Sequence, residues 1–358
     1  MLFRFIDVKS LFALRFIKSK ICIIIVVILF FFLYDPRDLI YGSLWRHTKE
    51  ALLDPYFLTI HCNEGRLGNQ MGTYATLYGL ARLNKRIPYG QQCNMDSLIP
   101  YFELSVAEIG SLPQKYSREY ELGPYFQLQD ENIPSDKNIL TGYLYPSSFT
   151  FYHHVQNEIK REFQFKKNII KYVYDVFNDI RATRGTSLFI SVHIRRTDYC
   201  SWLKAFRGKE FDKEYILKAM QYFKNKYKNI LFLLVSDDRK WCIKQFSNLP
   251  DVIITKEPPE PAYDLALLAH CNHSIITYGT FGFWGAYLAG GDTVYYANFL
   301  APNSKFLRHE LTYDKVYLPE WVGISTIEND FWLKHNSSFH PKECETVTWW
   351  EWIFGKRN

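Results

Sequence analysis

The 358-residue chain contains no Cys-x-x-Cys pair and no Asp-x-Asp pair, and its one long apolar run is the 14 residues Ile21–Tyr34. Each absence excludes something. Seven scattered cysteines offer no scaffold for a tetrahedral thiolate zinc site. Without Asp-x-Asp the chain lacks a short carboxylate clip for a divalent cation; Asp237 and Asp238 are adjacent and close a strand. Basic charge is narrowly placed as well. The formal net charge is +6, but Arg4, Lys9, Arg15, Lys18 and Lys20 against Asp7 put +4 of it before residue 21. The remainder is close to neutral, which argues against nucleic acid as a partner. No internal repeat or low-complexity segment occurs, so a solenoid is excluded.

What is present is a chain apolar enough for a large core, with 47% hydrophobic and 18% aromatic residues. Ile21–Tyr34 is short of the roughly 20 residues of a typical spanning helix, but flanking Lys and Arg stems can snorkel. The basic stretch before it orients residues 1–20 to the cytosol and everything after Tyr34 to the lumen. A cleaved signal peptide has an apolar stretch of this length too. No small-x-small site follows, however, only Asp35-Pro36-Arg37. The expectation is therefore a type II signal-anchor at 21–34, with a mixed-charge stem at 35–54. A lumenal body suits disulfides among Cys62, Cys93, Cys200, Cys242, Cys271 and Cys344, whose connectivity stays open. Asn336 and Asn272 head glycosylation motifs, the second leading straight into an apolar strand.

Along the body, Phe57–Cys62 predicts a strand, Gly65–Gly68 a tight loop, and Gln70–Leu83 a helix. Met71, Tyr74, Ala75, Tyr78 and Ala81 give that helix one apolar face. Residues 88–134 show no clear period. Ile139–Gly142 predicts a strand and Thr150–Phe163 an amphipathic helix. From Ser187 onward strands and helices alternate: Ser187–Ile194, a helix capped by Asp212, Ile230–Val235, Arg239–Phe246, Val252–Thr255, Ala262–His270, Ser274–Tyr278, Thr280–Ala289 and Thr293–Tyr296. Strands apolar on both faces and alternating with helices mean a parallel α/β sheet, with a ligand cleft at strand C-terminal ends.

Two segments fit a diphosphate. Val192-His193-Ile194-Arg195-Arg196-Thr197-Asp198 ends a buried strand, and guanidinium forks pair with phosphate oxygens. The plainer alternative is an Arg–Asp pair closing a strand at the surface. Thr277–Trp284 runs strand, glycine turn, helix start, where backbone N–H groups and the Thr280 hydroxyl can cradle phosphate. Gly279 and Gly282 would let it approach the backbone, or would serve helix–sheet packing. Asp264, early in a helix, either complements the dipole or accepts from the N1–H and N2–H₂ edge of guanine. His153-His154 are neighbours on a helix, point apart and read as structural.

Longer motifs carry a family resemblance. Gly65-Arg66-Leu67-Gly68-Asn69-Gln70-Met71-Gly72 with Tyr74–Tyr78, and Thr141-Gly142-Tyr143 with Phe149–His154, resemble signatures of the galactoside α-1,2-fucosyltransferases, glycosyltransferase family 11. So do Val192–Tyr199, Cys271–Gly291 and Leu318–Gly323. The resemblance runs from about Thr59 to Ile324, is weakest over 90–135, and gives nothing for the tail after Ser325. The His-x-Arg-Arg-x-Asp segment also resembles that of α-1,6- and protein O-fucosyltransferases.

The resemblance implies an α/β fold of GT-B type, two Rossmann-like domains facing across a cleft. It implies inverting transfer of L-fucose from GDP-fucose to the 2-hydroxyl of a terminal galactose, with no metal or other cofactor. By the same resemblance Arg195 and Arg196 hold the GDP phosphates, His193 and Asp264 contact the nucleoside, and Thr280, Phe281 and Gly282 contact phosphate, beside the Gly279 turn. Gly68, Asn69 and Gln70 position acceptor or donor. Asp198 is either the general base or the ion-pair partner that orients an arginine. The expected plan is an acceptor-side domain at 55–185, a GDP-fucose-binding domain at 186–325 and a tail at 326–358, held at the Golgi membrane. A fucosyltransferase for another acceptor position stays open. A non-catalytic lectin or nucleotide-sugar sensor would have lost donor residues, and none is lost.

Overall fold

In the computed structural model, residues 56–63, 65–109, 117–142, 147–185, 188–309 and 312–328 are described. The basic tail, the apolar run, the stem, Asn336 and Cys344 lie outside them. Among the described residues, no helix is long and apolar enough to cross a membrane.

Two parallel sheets organise the body. Strands β1 (Phe57–Ile60), β2 (Ile87–Gln91), β3 (Ala107–Ile109), β4 (Glu119–Leu122) and β5 (Ile139–Gly142) form one in the order β3-β2-β1-β5-β4. Strands β6 (Leu188–Ile194), β7 (Ile230–Ser236), β8 (Val252–Ile254), β9 (His273–Ile276), β10 (Thr293–Tyr296) and β11 (Val322–Ile324) form the other, in the order β11-β10-β9-β6-β7-β8. All the pairings are parallel. The α/β expectation is met, and β6, apolar on both faces, is a central strand.

In the second sheet the strand order reverses between β6 and β9, so the loops leaving these two strands flank a crevice at the sheet's C-terminal edge. In the first sheet β1 and β5 stand in the same relation. These are the loops that carry the motifs.

The helices are α1 (Leu67–Leu83), α2 (Gln92–Asp96), α3 (Gln156–Glu162), α4 (Lys167–Arg184), α5 (Tyr199–Ala205), α6 (Lys213–Lys226), α7 (Arg239–Phe246), α8 (Pro261–Ala269), α9 (Thr280–Ala289), α10 (Lys305–His309) and α11 (Tyr313–Val316). Local signals explain several ends. Asp212 caps α6 by accepting from the Tyr215 N–H at 2.9 Å, and Asp238 caps α7 by accepting from the Trp241 N–H at 3.0 Å. Pro261 occupies the first turn of α8, where its missing N–H costs nothing.

Four expectations are revised. Helix α1 starts at Leu67, so Gly68 belongs to its first turn rather than to a loop, and α1 is buried on nearly every side rather than on one stripe. Thr150–Phe163 is not one helix: two 3₁₀ turns, Phe149–Phe151 and His153–Val155, lead into α3. Helix α4 has no counterpart among the expected elements, although Ile169, Val173, Phe177 and Ile180 line its buried stripe. Residues 88–134, which show no clear period, supply part of β2, then α2, β3 and β4.

Of the cysteines, Cys62 bonds Cys93, with Cα atoms 6.0 Å apart. Cys200 is disulfide-bonded too, whereas Cys242 and Cys271 are buried free thiols.

Candidate active site

Strand β6 presents His193 on the face covered by α8 and α9. The imidazole is 4% exposed, and its centroid lies 5.4 Å from that of Phe281. A Cβ on Gly282 would sit 2.5 Å from His193 Nδ1, so Gly282 lets α9 pass over the ring. Close packing against His193 by itself requires a glycine here. Burial, reinforced by the neighbouring Arg195, pulls the His193 pKa down to about 3, so the ring is neutral at physiological pH. Its Nδ1 is buried without a hydrogen-bond partner, an unusual state for a polar atom away from a ligand site.

The two arginines after β6 diverge. Arg195 turns onto Asp198 as a fork, Nε to Oδ1 at 2.9 Å and Nη2 to Oδ2 at 2.7 Å. Its backbone N–H donates to the Thr277 hydroxyl at 3.1 Å, which ties the ends of β6 and β9 together. Burial lowers the Arg195 pKa, but Asp198 and Asp237 outweigh it, so the guanidinium stays charged. Arg196 goes the other way: Nε meets Asp238 Oδ2 at 3.2 Å and the guanidinium lies 4.2 Å over the Trp241 ring. The two do not form a joint clamp.

A different arginine joins Arg195. Arg66, in the loop from β1 to α1, places Nη1 2.8 Å from Asp198 Oδ2. Asp198 is thus buried under two guanidinium groups, and the geometry matches its reading as an arginine anchor rather than as a free base. Sequence reasoning missed Arg66 as a site residue, although it stands inside the Gly65–Gly72 motif. Nothing short of tertiary structure shows that it faces Asp198.

Two helix N-termini meet beside this cluster. A Cβ on Gly68 would come within 2.7 Å of Thr280 Oγ1 and 2.8 Å of the Phe281 backbone nitrogen, so only glycine lets the first turn of α1 abut that of α9. The Thr280 hydroxyl donates to Asn69 Oδ1 at 2.7 Å across the contact. Gly279 takes φ +87° at the turn into α9, where a side chain would be strained. Neither α1 nor α9 has a side-chain cap at its N-terminus. Their positive dipole ends lie beside Arg66 and Arg195, whose charges Asp198 and Asp237 partly offset, and together they give an anion fixed positive partners there.

Asp264 sits in the first turn of α8, and both its oxygens accept from Arg239 Nη2, at 2.8 and 2.6 Å. Arg239 also donates to the Thr255 carbonyl at 3.0 Å and to the Ser236 carbonyl, so the pair is built into the ends of β7 and β8. Burial pushes the Asp264 pKa up to about 6 against the pull of Arg239. Each carboxylate oxygen keeps a second lone pair for another donor.

Gln70 is not aimed at a ligand. Its Nε2 donates to the Asn63 and Gly65 carbonyls at 2.6 and 3.2 Å. Asn272 is exposed, with Oδ1 accepting from the Phe189 N–H at 3.0 Å. His154 Nε2 lies 3.1 Å from the Gly79 carbonyl, in the structural role expected. Asp237 accepts from the Arg196 and Thr197 backbone N–H groups at 2.9 and 3.2 Å, and Asp238 caps α7. Among the described residues no three His, Cys, Asp or Glu side chains converge as a metal site.

Comparison with known proteins gives the site a context. Among solved structures, the α-1,6-fucosyltransferase NodZ soaked with GDP-fucose aligns at TM-score 0.46 with 13% identity, over 68% of this chain and 95% of that one. POFUT1 in complex with GDP-fucose aligns at TM-score 0.47 with 11% identity, over 68% and 99%. Sequence similarity is far closer. The galactoside 2-alpha-L-fucosyltransferase Sec1 of Mus musculus is 39% identical over 269 residues, 73% of this chain and 72% of that protein. The galactoside alpha-(1,2)-fucosyltransferase 2 of the same species is 38% identical over 267 residues, 73% and 76%. The model of glycosyl transferase family 11 matches residues 41–325, a span that holds every element of the site, and the chain belongs to that family.

Proposed function

We propose that this protein transfers L-fucose from GDP-fucose to the 2-hydroxyl of a terminal galactose, with inversion at the fucose carbon and without a metal ion. Relatives named as galactoside α-1,2-fucosyltransferases, at 37–39% identity, support the substrate class and linkage. One observation carries the placement of the donor: Arg66, Arg195 and the uncapped N-termini of α1 and α9 meet at the crevice where the strand order reverses. That is where a diphosphate gains most from fixed positive charge. Gly279 and Thr280 belong to the same cradle.

The chemistry follows from the placement. The galactose O2 bonds to the fucose C1 from the opposite face and its proton passes to solvent, while the bond between C1 and the β-phosphate oxygen breaks, so the electron pair stays on GDP and negative charge grows there. Preorganised donors stabilise that charge without rearranging at the moment of reaction. Asp198 serves by fixing both arginines. Neutral His193 and ionised Asp264, on the α8–α9 face, are suited to the nucleoside, with Asp264 accepting from guanine. Asn69 bridges the halves through Thr280.

The same proposal takes the fold as GT-B, with an acceptor-side half at 55–185 and a donor half at 186–325. It takes residues 21–34 as a type II Golgi anchor with the body lumenal, and Asn336 as a glycan carrier. Calorimetry with GDP and UDP in EDTA tests the donor site. GDP should bind at least about 100-fold tighter, since uracil offers no N2–H₂ edge to a carboxylate. Equal affinities, or GDP binding only after manganese is added, would sink it.

A further inference from the structure

We infer that Asn94 positions Arg66 through a hydrogen-bond relay anchored at the Cys62–Cys93 disulfide. The inference rests on the proposed donor site only for its catalytic consequence; the relay itself stands on geometry.

The described residues of the loop that carries Arg66, His61–Asn63 and Gly65, have no secondary structure, so their placement depends on side chains. Gln70 supplies it. The amide Nε2 reaches back to two loop carbonyls, Asn63 at 2.6 Å and Gly65 at 3.2 Å. Facing two acceptors, that end of Gln70 must be the NH₂, which leaves Oε1 on the other side. There Asn94 Nδ2 donates to Gln70 Oε1 at 2.7 Å and to the Gln70 carbonyl at 3.0 Å. Asn94 must therefore present its NH₂ as well.

Both amides are buried, Asn94 at 1% and Gln70 at 4% exposure, and Asn94 Oδ1 has no partner. Only the donor end of the Asn94 amide is bonded, and the orphaned oxygen carries a desolvation cost that those two bonds offset. Asn94 lies in α2, immediately after Cys93, and the disulfide joins Cys93 to Cys62 in the loop itself. Cys62 N–H also donates to Gln91 Oε1 at 3.3 Å. The loop is thus held from both ends: covalently at Cys62, and at Asn63 and Gly65 by Gln70 as oriented by Asn94. Arg66 follows directly, with its guanidinium on Asp198.

Asn94 touches neither the anion cradle nor Asp198, so it is a positioning residue. Asn94→Asp keeps shape but sets carboxylate oxygens against Gln70 Oε1 and the Gln70 carbonyl. The full chain and its Asn94→Asp, Arg66→Ala and double variants are compared in two assays. In single-turnover transfer from GDP-fucose to lactose, Asn94→Asp should lower the rate at least tenfold with the lactose KM unchanged. In the Arg66→Ala background the same substitution should change the rate less than twofold. In limited trypsinolysis, cleavage after Arg66 should be at least fivefold faster in Asn94→Asp than in the parent. Equal rate factors in both backgrounds, or unchanged cleavage after Arg66, would overturn the relay. Should Asn94→Asp not fold, Asn94→Ala, which removes the donor without adding charge, is read by the same criteria. A parent chain that transfers nothing to lactose refutes the proposed function, while the cleavage rate still decides the relay.

Discussion

Arg195 and Arg196 are adjacent in the chain and opposite in surroundings. Arg195 forks onto Asp198, whereas the Arg196 side chain meets Asp238 through one nitrogen and lies 4.2 Å over the Trp241 ring. A lysine can replace a single ion-pair contact and a cation–π contact, but not a fork. Arg195→Lys should therefore cut single-turnover transfer by roughly 10²–10³-fold, the scale for losing one transition-state donor. Arg196→Lys should cost less than about tenfold. Equal losses would mean that the divergence has no catalytic meaning. Asp264 gives a pH dependence. With its pKa near 6, protonation removes the acceptor that guanine needs, so GDP affinity should fall as pH drops through 6, while Asp264→Asn stays flat. The effect on folding has the opposite sign. A folded pKa above the ordinary 3.8 means the native state holds the proton more tightly, so this contribution is fullest below 3.8 and is lost as pH rises through about 6. A flat wild-type affinity between pH 5 and 7 would leave Asp264 as helix architecture. At this scale the sequence names His193, Arg195, Asp198 and Asp264 by type and position. It does not separate Arg195 from Arg196, because adjacent residues beyond a strand end can leave it in any direction, and Arg66 needs a partner 132 positions away.

In the second sheet β6 to β10 are legible because the helices between them carry their own punctuation: Asp212 and Asp238 as caps, Pro261 at a helix start, Gly279 and Gly290 around α9; β11, only three residues long, and α5 carry no such signal. The first half is harder for a physical reason. Helix α1 is enclosed on nearly every side, so it has no polar face from which to tell a stripe, and its start is set by the contact with α9 rather than by a cap. Helix α4 does have a stripe and was legible in principle. Gly68 is where element packing and site formation coincide. In Gly68→Ala, the new methyl meets Thr280 and the Phe281 backbone, which cannot swing aside, so α1 and α9 must separate. About 1–3 kcal/mol of stability should be lost, and GDP should bind at least tenfold more weakly. Thermal melting and calorimetry on one preparation check both. Wild-type GDP affinity in a folded Gly68→Ala protein would show that the two helix ends need not touch to hold an anion.

At the scale of the whole molecule, two parallel sheets present the loops after β1, β6 and β9 so that residues from distant segments meet: Arg66 with Asp198, and Asn69 with Thr280. Alternating strands and helices foretell parallel sheets, but not which loops meet, since that depends on the packing of one half against the other. The central claim is that this convergence performs α-1,2 fucosyl transfer on the lumenal side of a membrane. It is tested most directly by expressing the full chain, isolating sealed microsomes, and supplying GDP-fucose and lactose in EDTA with and without detergent. Product linkage is then determined by NMR. The account predicts fucose α-linked to the galactose 2-hydroxyl, formed only once detergent opens the vesicles. Transfer to a different hydroxyl, transfer that EDTA abolishes, or full activity in intact vesicles would contradict it.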